Sequence, residues 1–433
     1  MKRRKGRRRL SLGTVFMLLF TLLVVLGCAG FLLAITGGGM EERTAKQMDA
    51  FSAPRSMPDV QRAQQPAQAA YVYTDESPVP TASPVATSTP APQKRTISIV
   101  AAGSVYVPKA VRETVQSSAE HYDFDPVFEG VRDTLSDADL SIVTLETTTA
   151  GKEKGYGNAN TPPQILDALR DCGVDLISLG TERALDMGYD GLAVTLQEMT
   201  SRGLSYAGVL EEGRSNATVM RIDGVQVAVL AYSYGLSDEG EEKTDGDSRG
   251  ALAKLDLARV KADIAKVRSE GANLVIVLPH WGTKNKMDTS EAIRDLAREL
   301  AAAGADLIFG THPNVPQDVE VICAVRPDGL VYETLVCYSL GSLLTDARSE
   351  ENTAGMAVEI RVTYDPATRR VQLGEAEVTP LYIARTRVND APVYRVVNCE
   401  DEAAASMLDA AELEAAQHAA QLIRDVTMQG EEQ

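Results

Sequence analysis

The chain has 433 residues, a length that accommodates one large or two modest folded units. Hydrophobic residues make up 44% of the chain and charged residues 24%, which excludes a wholly disordered chain, a collagen-like chain and a protein with many membrane spans. The formal net charge of −18 argues against nucleic acid as a partner.

This charge is unevenly distributed. Seven of the 43 basic residues lie within residues 1–9 and the first acidic residue is Glu41, so the remaining 36 basic residues are set against all 61 acidic ones. We therefore expect the short basic end and the long acidic body to face different environments. Basic residues before a membrane span hold that end in the cytoplasm.

Residues 10–36 are predicted to be a transmembrane anchor. They carry no charge, and the apolar core, residues 15–35, forms a helix long enough to cross roughly 30 Å of hydrocarbon. One alternative is a cleaved signal peptide, whose apolar stretch usually has about 7–15 residues. Another is lipoprotein cleavage before Cys28. An uncleaved span predicts a single-pass protein of the cell membrane with its body outside the cytoplasm.

The segments that flank the predicted body differ from it in composition. Residues 37–95 are expected to form an extended linker, because residues 78–93 are mostly Pro, Ser, Thr, Ala and Val and cannot bury enough apolar surface to fold. Residues 400–433 are rich in Ala, Glu and Gln and are predicted to form a helical tail on the surface.

The body, residues 96–399, alternates between strand-like and helix-like patterns. Strand candidates are residues 96–101, 140–144, 176–179, 274–278 and 307–309, and apolar residues at helical spacing lie between them. Asp223-Gly224 separates two apolar runs and predicts a β-hairpin. From residue 318 to 381 the pattern is mostly strands. This order predicts a mixed α/β fold built of layers.

The cysteines give no strong signal for a metal site or a disulfide framework. The five are not arranged in a CxxC motif, and we expect those of the body to be small buried hydrophobic residues. A Cys323–Cys337 disulfide across a hairpin is an alternative in an oxidising compartment.

Polar segments follow the predicted strands. Functional groups in α/β sheets gather just beyond the carboxyl ends of the strands. The segments are Gly103-Ser104, Thr144-Leu145-Glu146, Gly180-Thr181-Glu182-Arg183, Pro279-His280-Trp281-Gly282 and Gly310-Thr311-His312-Pro313-Asn314-Val315. The chain has only four histidines, and His280 and His312 both belong to this set. We expect them to share a polar pocket; a structural hydrogen-bonding role for each is the alternative.

In their order and spacing these segments resemble the CapA family, also called PgsA. The resemblance runs from residue 96 to about residue 399. Further motifs that carry it are Tyr122-Asp123-Phe124-Asp125-Pro126, Ala138-Asp139-Leu140, Ser178-Leu179, Ala184-Leu185-Asp186, Gly304-Ala305-Asp306-Leu307 and Tyr338-Ser339-Leu340-Gly341. It implies poly-gamma-glutamate capsule synthesis and an αββα sandwich of the calcineurin-like metallophosphoesterase type.

The sequence departs from the family pattern where the resemblance implies metal ligands. The family's Gly-Asp is here Gly103-Ser104, and its Asn-Asn-His ends at Arg183. The last His of its Gly-His-His-Pro-His-Val is Asn314. The remaining positions that the resemblance places in the pocket are Thr144, Glu182, Trp281 and Ser342, while Glu146, His280 and His312 are retained.

These departures argue against a pair of metal ions. A two-metal site needs several carboxylate, amide and imidazole ligands, and Arg183 replaces one of them with a cation that cannot ligate metal. We therefore expect no dinuclear site and no resident cofactor. Arg183 is expected to pair with Glu146 or Glu182 and so to replace the missing metal charge. The alternative is a solvent-exposed Arg183.

Two functions remain open. The first is a non-catalytic, membrane-anchored protein that binds an extracellular anionic polymer or glycan and works with membrane proteins of capsule synthesis. The second is an active hydrolase or polymer-transfer component. Its catalytic residues would be Glu146, His280 and His312, which meet the usual number of protein ligands for one divalent ion of zinc, manganese or iron.

Overall fold

The computed structural model describes residues 93–210, 216–246, 248–388 and 391–428. The predicted basic segment, the membrane anchor and almost all of the linker lie outside these residues. Within the described part of the chain, no helix has both the length and the apolar character that a membrane crossing requires.

The secondary structure follows the predicted alternation. The strands are β1 (Arg95–Val105), β2 (Leu140–Leu145), β3 (Leu176–Ser178), β4 (Ser205–Ala207), β5 (Thr218–Ile222), β6 (Val225–Ser233), β7 (Leu274–His280), β8 (Leu307–Phe309), β9 (Val319–Val325), β10 (Val331–Cys337), β11 (Ser342–Leu344), β12 (Ala354–Asp365), β13 (Arg370–Val388) and β14 (Ala391–Asn398). The α-helices are α1 (Lys109–Thr114), α2 (Asp125–Phe128), α3 (Arg132–Ser136), α4 (Gln164–Asp171), α5 (Gly188–Ser201), α6 (Asp238–Lys243), α7 (Leu257–Ser269), α8 (Glu291–Ala303), α9 (Glu350–Thr353), α10 (Glu402–Ala405) and α11 (Ala410–Met428). Single 3₁₀ turns occur at Lys152–Lys154 and Ser248–Ala251.

The strands form two sheets. The first has the order β14-β13-β12-β1-β2-β3-β4, with β11 beside the end of β1, and the second has the order β5-β6-β7-β8-β10-β9. Strands β1 to β4 are parallel to one another, as are β6, β7, β8 and β10. The carboxyl ends of the parallel strands in each sheet therefore lie along one edge of that sheet.

The two sheets stack face to face, with helices on their outer faces. Ile99 and Ile142 of the first sheet and Val229 and Ile276 of the second belong to one buried cluster between the sheets. The opposite faces pack against helices: Val143 of the first sheet joins a cluster with Leu166 of α4, and Val277 of the second joins a cluster with Ile264 of α7 and Leu300 of α8. Successive residues of a strand point to opposite faces of the sheet. One apolar run therefore supplies side chains both to the cluster between the sheets and to the cluster beneath the helices. The predicted mixed α/β sandwich is confirmed.

The predicted hairpin also forms. Asp223 and Gly224 have φ values of 40° and 82°, the left-handed conformation that two-residue hairpin turns require, and they join β5 to β6. In the predicted tail, α11 does more than cover the surface. Its Ala416, Ala419 and Ile423 are buried in the cluster between the sheets.

The cysteines of the described residues are all free thiols. Cys172 and Cys337 are buried as expected and Cys399 is partly buried, but the expectation is wrong for Cys323, which is exposed. Across the β9–β10 pair, Cys323 lies opposite Glu333 and Cys337 lies opposite Val319. The two thiols therefore do not face each other, and the alternative of a Cys323–Cys337 disulfide is wrong.

Candidate functional site

The two predicted histidines meet at the carboxyl edge of the second sheet. His280 ends β7, and His312 lies three residues beyond β8. His312 Nδ1 is 3.2 Å from His280 Nε2, and the ring centres are 4.7 Å apart. His280 Nδ1 is also 3.1 Å from Thr311 Oγ1. The structure thus brings the two imidazoles into one pocket and gives each a hydrogen-bonding partner.

Burial keeps both imidazoles neutral. Their surfaces are almost wholly covered, and desolvation lowers the pKa of His312 to about 4 and that of His280 well below its ordinary value. The charge of Glu182 partly opposes the shift of the His312 pKa, while that of Lys284 adds to it. At neutral pH each ring therefore offers one N–H and one lone pair.

The loop that carries His312 is held in an unusual conformation. His312 has a φ of 98° and Asn314 a φ of 59°, both in the left-handed region that non-glycine residues seldom adopt. Asn285 shares this conformation, with a φ of 57°, and its backbone N–H donates to the Pro313 carbonyl at 2.8 Å. The Asn352 amide donates to the Asn314 carbonyl at 2.9 Å. Such strain persists where surrounding contacts fix it, and it is common at functional sites.

A carboxylate completes a three-residue group with the histidines, and it belongs to Glu182. Ligand atoms of Glu182, His280 and His312 all lie within 4.8 Å of one another. The sequence predicts Glu146 in this place, but the structure brings Glu182 there. Glu182 reaches the second sheet because Gly180 packs directly on β6: a Cβ at Gly180 would lie 2.7 Å from the Tyr232 backbone nitrogen.

Two donors already hold the Glu182 carboxylate. The Lys284 ammonium binds one of its oxygens, and the Tyr234 hydroxyl donates to the other. Burial alone would raise the pKa of Glu182, but these two hydrogen bonds and the Lys284 charge outweigh it and lower that pKa. The Tyr234 ring also packs against His312, with ring centres 4.6 Å apart.

Glu146 occupies a different part of the pocket. It is buried, and its Oε1 has no hydrogen-bond partner among the described residues. Burial raises the pKa of Glu146 to about 7, although a hydrogen bond from Ser104 lowers it and the Glu182 charge raises it further. Close to neutral pH this carboxyl is therefore divided between its neutral and ionised forms.

Arg183 pairs with a residue that we had not assigned to the site. Its Nη1 donates to Asp186 Oδ2 at 3.0 Å, and its guanidinium carbon lies 4.9 Å from the ring centre of Tyr106. Asp186, three residues further along the same segment, receives the guanidinium directly in place of Glu146 or Glu182. Burial acts to lower the pKa of Arg183, but nearby negative charges, those of Glu182 and Glu146 among them, raise it, so both expected carboxylates act on Arg183 without a direct ion pair among the described residues. The alternative of a solvent-exposed Arg183 is wrong, since its side chain is only 21% exposed.

The remaining predicted positions divide into two groups. Ser104 lies beside Thr144 and Ser342 in the strand register, and Ser104 Oγ is 3.5 Å from Asn314 Oδ1. Trp281 does not line the pocket. Its indole N–H donates to the Tyr338 carbonyl at 2.9 Å, and its ring is buried on the helical side of the second sheet. It follows His280 directly, and neighbouring residues of an extended segment point to opposite faces.

Sequence reasoning missed Tyr234, Lys284 and Asp186. Tyr234 follows β6 directly, so the rule that placed the other residues at strand ends would have found it. Asp186 lies within a family motif but carried no assigned role. Lys284 lies in a loop four residues beyond His280, where no periodicity marks it.

Comparison with known proteins identifies the family. The family model described as "Bacterial capsule synthesis protein PGA_cap" matches residues 98–347, more than half of the chain. The chain belongs to this family. The match confirms the resemblance to capsule synthesis proteins.

Curated relatives agree with this assignment. The chain is 25% identical over 285 residues to the PGA biosynthesis protein CapA of Bacillus subtilis, across 62% of this chain and 68% of that protein. It is 26% identical over 264 residues to the capsule biosynthesis protein CapA of Bacillus anthracis, across 59% of this chain and 60% of that protein.

Two solved structures are partly similar to this chain. The calcineurin-like phosphoesterase YfkN from Bacillus subtilis has a TM-score of 0.40 at 12% identity and covers 77% of this chain and 98% of its own. A phosphatase from Mycoplasma pneumoniae has a TM-score of 0.37 at 15% identity and covers 66% of this chain and 94% of its own. At these scores the likeness says nothing about activity.

Proposed function

We propose that this chain is a membrane-anchored component of poly-gamma-glutamate capsule synthesis or attachment that works outside the cytoplasm, binds the polymer and does not hydrolyse phosphoesters. Membership of the capsule synthesis family supports the process and the polymer. The basic residues 1–9 before the apolar residues 15–35 support the anchor and the placement of the body. Membrane proteins of capsule synthesis are the partners that this location implies.

The observation that carries the non-catalytic part is the pairing of pocket carboxylates with fixed cations. Lys284 holds Glu182, and Arg183 holds Asp186. A metal ion would have to displace the first cation and approach the second, which stays protonated at any ordinary pH. Ser104 supplies a hydroxyl where the resemblance implies a carboxylate. This donor set does not fit two metal ions.

The three-residue group favours a second candidate, a mononuclear enzyme. Glu182, His280 and His312 supply one carboxylate and two neutral imidazoles within 4.8 Å, which fits the three protein ligands of many catalytic zinc sites. Zinc, manganese or iron held there would act as a Lewis acid on a bound substrate. For this to happen, Lys284 must leave Glu182.

Metal content and activity separate the two candidates. After dialysis, the purified wild-type chain is expected to retain no stoichiometric metal by elemental analysis and to show negligible hydrolysis of p-nitrophenyl phosphate. The triple variant Ser104→Asp, Arg183→His, Asn314→His is expected to gain metal, because positions 104 and 314 are already neighbours. Two tightly bound ions per wild-type chain would overturn the proposal. One ion, lost in Glu182→Gln, would support the mononuclear enzyme.

Placement is tested separately. Protease added to cells whose wall has been removed is expected to digest the body while a cytoplasmic marker stays intact. Complete protection of the body in that assay contradicts an extracytoplasmic location. Nothing in that result depends on the metal chemistry.

A further inference from the structure

A second pocket lies at the opposite edge of the second sheet. It is a cavity of about 640 Å³ beside the starts of β7 and β8, whereas the histidine pocket lies beyond their ends. This volume falls within the range of about 300–1,000 Å³ that is usual for small-ligand sites. Its polar lining includes Arg268, Asn273, Asp306, Arg326, Tyr332 and Arg369.

The charges inside this cavity do not balance. Asp306 is fully buried and accepts hydrogen bonds from Arg268, from Arg326 Nη1 at 2.7 Å and from the Val275 backbone N–H at 2.7 Å. One carboxylate therefore faces two guanidinium groups, and the side chain of Arg326 is only 7% exposed. A buried cation in excess of its carboxylates is costly, so an anion would stabilise this cluster.

One N–H donor of the Arg326 guanidinium has no hydrogen-bond acceptor among the described residues. Its Nη1 is bound to Asp306, and its Nη2 donates to the Ala305 carbonyl at 2.6 Å and to Thr334 Oγ1 at 3.3 Å. Its Nε is buried and has no partner among the described residues. Buried donors are nearly always paired, so the hydrogen-bonding capacity of this buried guanidinium is incompletely satisfied by the described residues.

An aromatic ring and two more arginines extend the positive surface outward. The Tyr332 ring lies between Arg326 and Arg370, whose guanidinium carbons are 4.4 and 4.5 Å from its centre. Arg369 is exposed at the cavity rim with a φ of 58°. The other acid of the lining, Asp328, accepts the Tyr332 hydroxyl. Three arginines and two aspartates thus line the cavity, so its lining carries one cation in excess on a body that is otherwise strongly acidic.

We propose that this cavity binds a carboxylate-bearing chain, with the side carboxylates of gamma-linked glutamate as its ligand groups. Guanidinium groups match the planar, two-oxygen geometry of carboxylates, and several of them in a row suit a polymer with one carboxylate per residue. The choice of polymer rests on the proposed function. The positive cavity also resolves a difficulty of that function, because an acidic body would otherwise repel a polyanion.

The test is calorimetric titration of the full chain with a gamma-linked glutamate oligomer. Arg369→Glu reverses an exposed charge at the cavity rim and is expected to weaken binding at least about tenfold. Arg361→Glu is the matched control, because Arg361 is an exposed residue of β12 that does not line the cavity, and it should change binding less than about twofold. A neutral oligomer of the same length, in which the free alpha-carboxylates are converted to carboxamides (gamma-linked isoglutamine), should not bind.

Other outcomes would overturn the inference in distinct ways. Equal losses in Arg369→Glu and Arg361→Glu would indicate non-specific attraction. Competition by inorganic phosphate at the same concentration as the oligomer would contradict a site built for a carboxylate chain. Loss of binding in Lys284→Met, with Arg369→Glu unaffected, would place the polymer in the histidine pocket and leave the proposed function standing. Absence of any oligomer binding to the wild-type chain would contradict both.

Discussion

Both edges of the second sheet join buried acids to basic side chains, but the charge balance differs. At the carboxyl edge, Lys284 pairs with Glu182 and Arg183 pairs with Asp186, so each ion pair has one cation for one carboxylate. At the amino edge, two arginines share Asp306. The first arrangement neutralises itself and leaves little attraction for a charged ligand. The second arrangement has one more guanidinium group than carboxylate, and a bound anion would balance the extra positive charge.

The comparison also shows how two buried carboxylates of the carboxyl edge are balanced. A buried carboxylate without a cation is costly. Here Lys284 comes from the loop after β7 and Arg183 from the segment after β3, so both sheets contribute a balancing charge. Glu146 forms no ion pair within the described residues, and burial raises its pKa to about 7 although the charges of Arg183 and Lys284 act to lower it.

Asp306→Asn is expected to have the largest effect. Asp306 is fully buried, and removing its charge leaves Arg268 and Arg326 without a carboxylate, which typically costs about 3–5 kcal/mol of unfolding free energy. Urea denaturation measures the loss. Asp186→Asn is the comparison: its partner Arg183 is 21% exposed and can turn toward water, so a smaller loss of about 1–2 kcal/mol is expected. Equal losses of unfolding free energy in the two variants would contradict the proposed difference between the two edges of the second sheet.

Glu146→Gln is expected to stabilise the protein at high pH. The folded-state pKa of Glu146, about 7, lies above its usual value of 4.5, so the folded chain holds its proton where the unfolded chain releases it. The neutral carboxyl stabilises the folded chain fully at pH values below the pKa of Glu146 in the unfolded chain. This stabilisation is lost as the pH rises through the pKa of Glu146 in the folded chain. From pH 5 to pH 8, the unfolding free energy of the variant should therefore rise by about 2 kcal/mol relative to that of the wild type.

Paired urea denaturation curves at the two pH values measure this gain. Glu113→Gln, at an exposed position of α1, is the control and should show no comparable change. The shifted histidines are present in both proteins, so their contributions cancel in the difference. A gain that is the same at pH 5 and at pH 8 would mean that Glu146 does not ionise in this range.

The layers and the site's position could be predicted because both follow from periodic patterns. Alternating strands and helices fixed the sandwich, and the rule of strand ends placed His280 and His312 in one pocket. The left-handed turn at Asp223-Gly224 followed from local chemistry alone. In each case the relevant physics acts within a few residues or along a regular element.

The pairings inside the site could not be predicted, because loops decide them. Glu182 takes the place expected for Glu146, and its segment touches β6 at Gly180, where a larger residue would not fit. Lys284 comes from a loop of the second sheet and binds the Glu182 carboxylate, which follows a strand of the first sheet. The sequence around each of these residues gives no indication of this pairing. The resemblance places Trp281 in the pocket, but Trp281 follows His280 directly in an extended segment, and successive residues of such a segment point to opposite faces.

The smallest effect is expected for Lys284→Met, which tests whether Lys284 keeps metal ions away from the carboxyl edge of the second sheet. Methionine keeps the apolar stem but removes the ammonium from Glu182, which frees the carboxylate to join His280 and His312 around a metal ion. Zinc affinity, measured by competition with a chromophoric chelator, is expected to rise at least about tenfold, equivalent to about 1.4 kcal/mol. Lys286→Met changes an exposed lysine two residues away and should have no effect. If the two variants bind zinc equally weakly, Lys284 is not what keeps this group of ligands closed to metal.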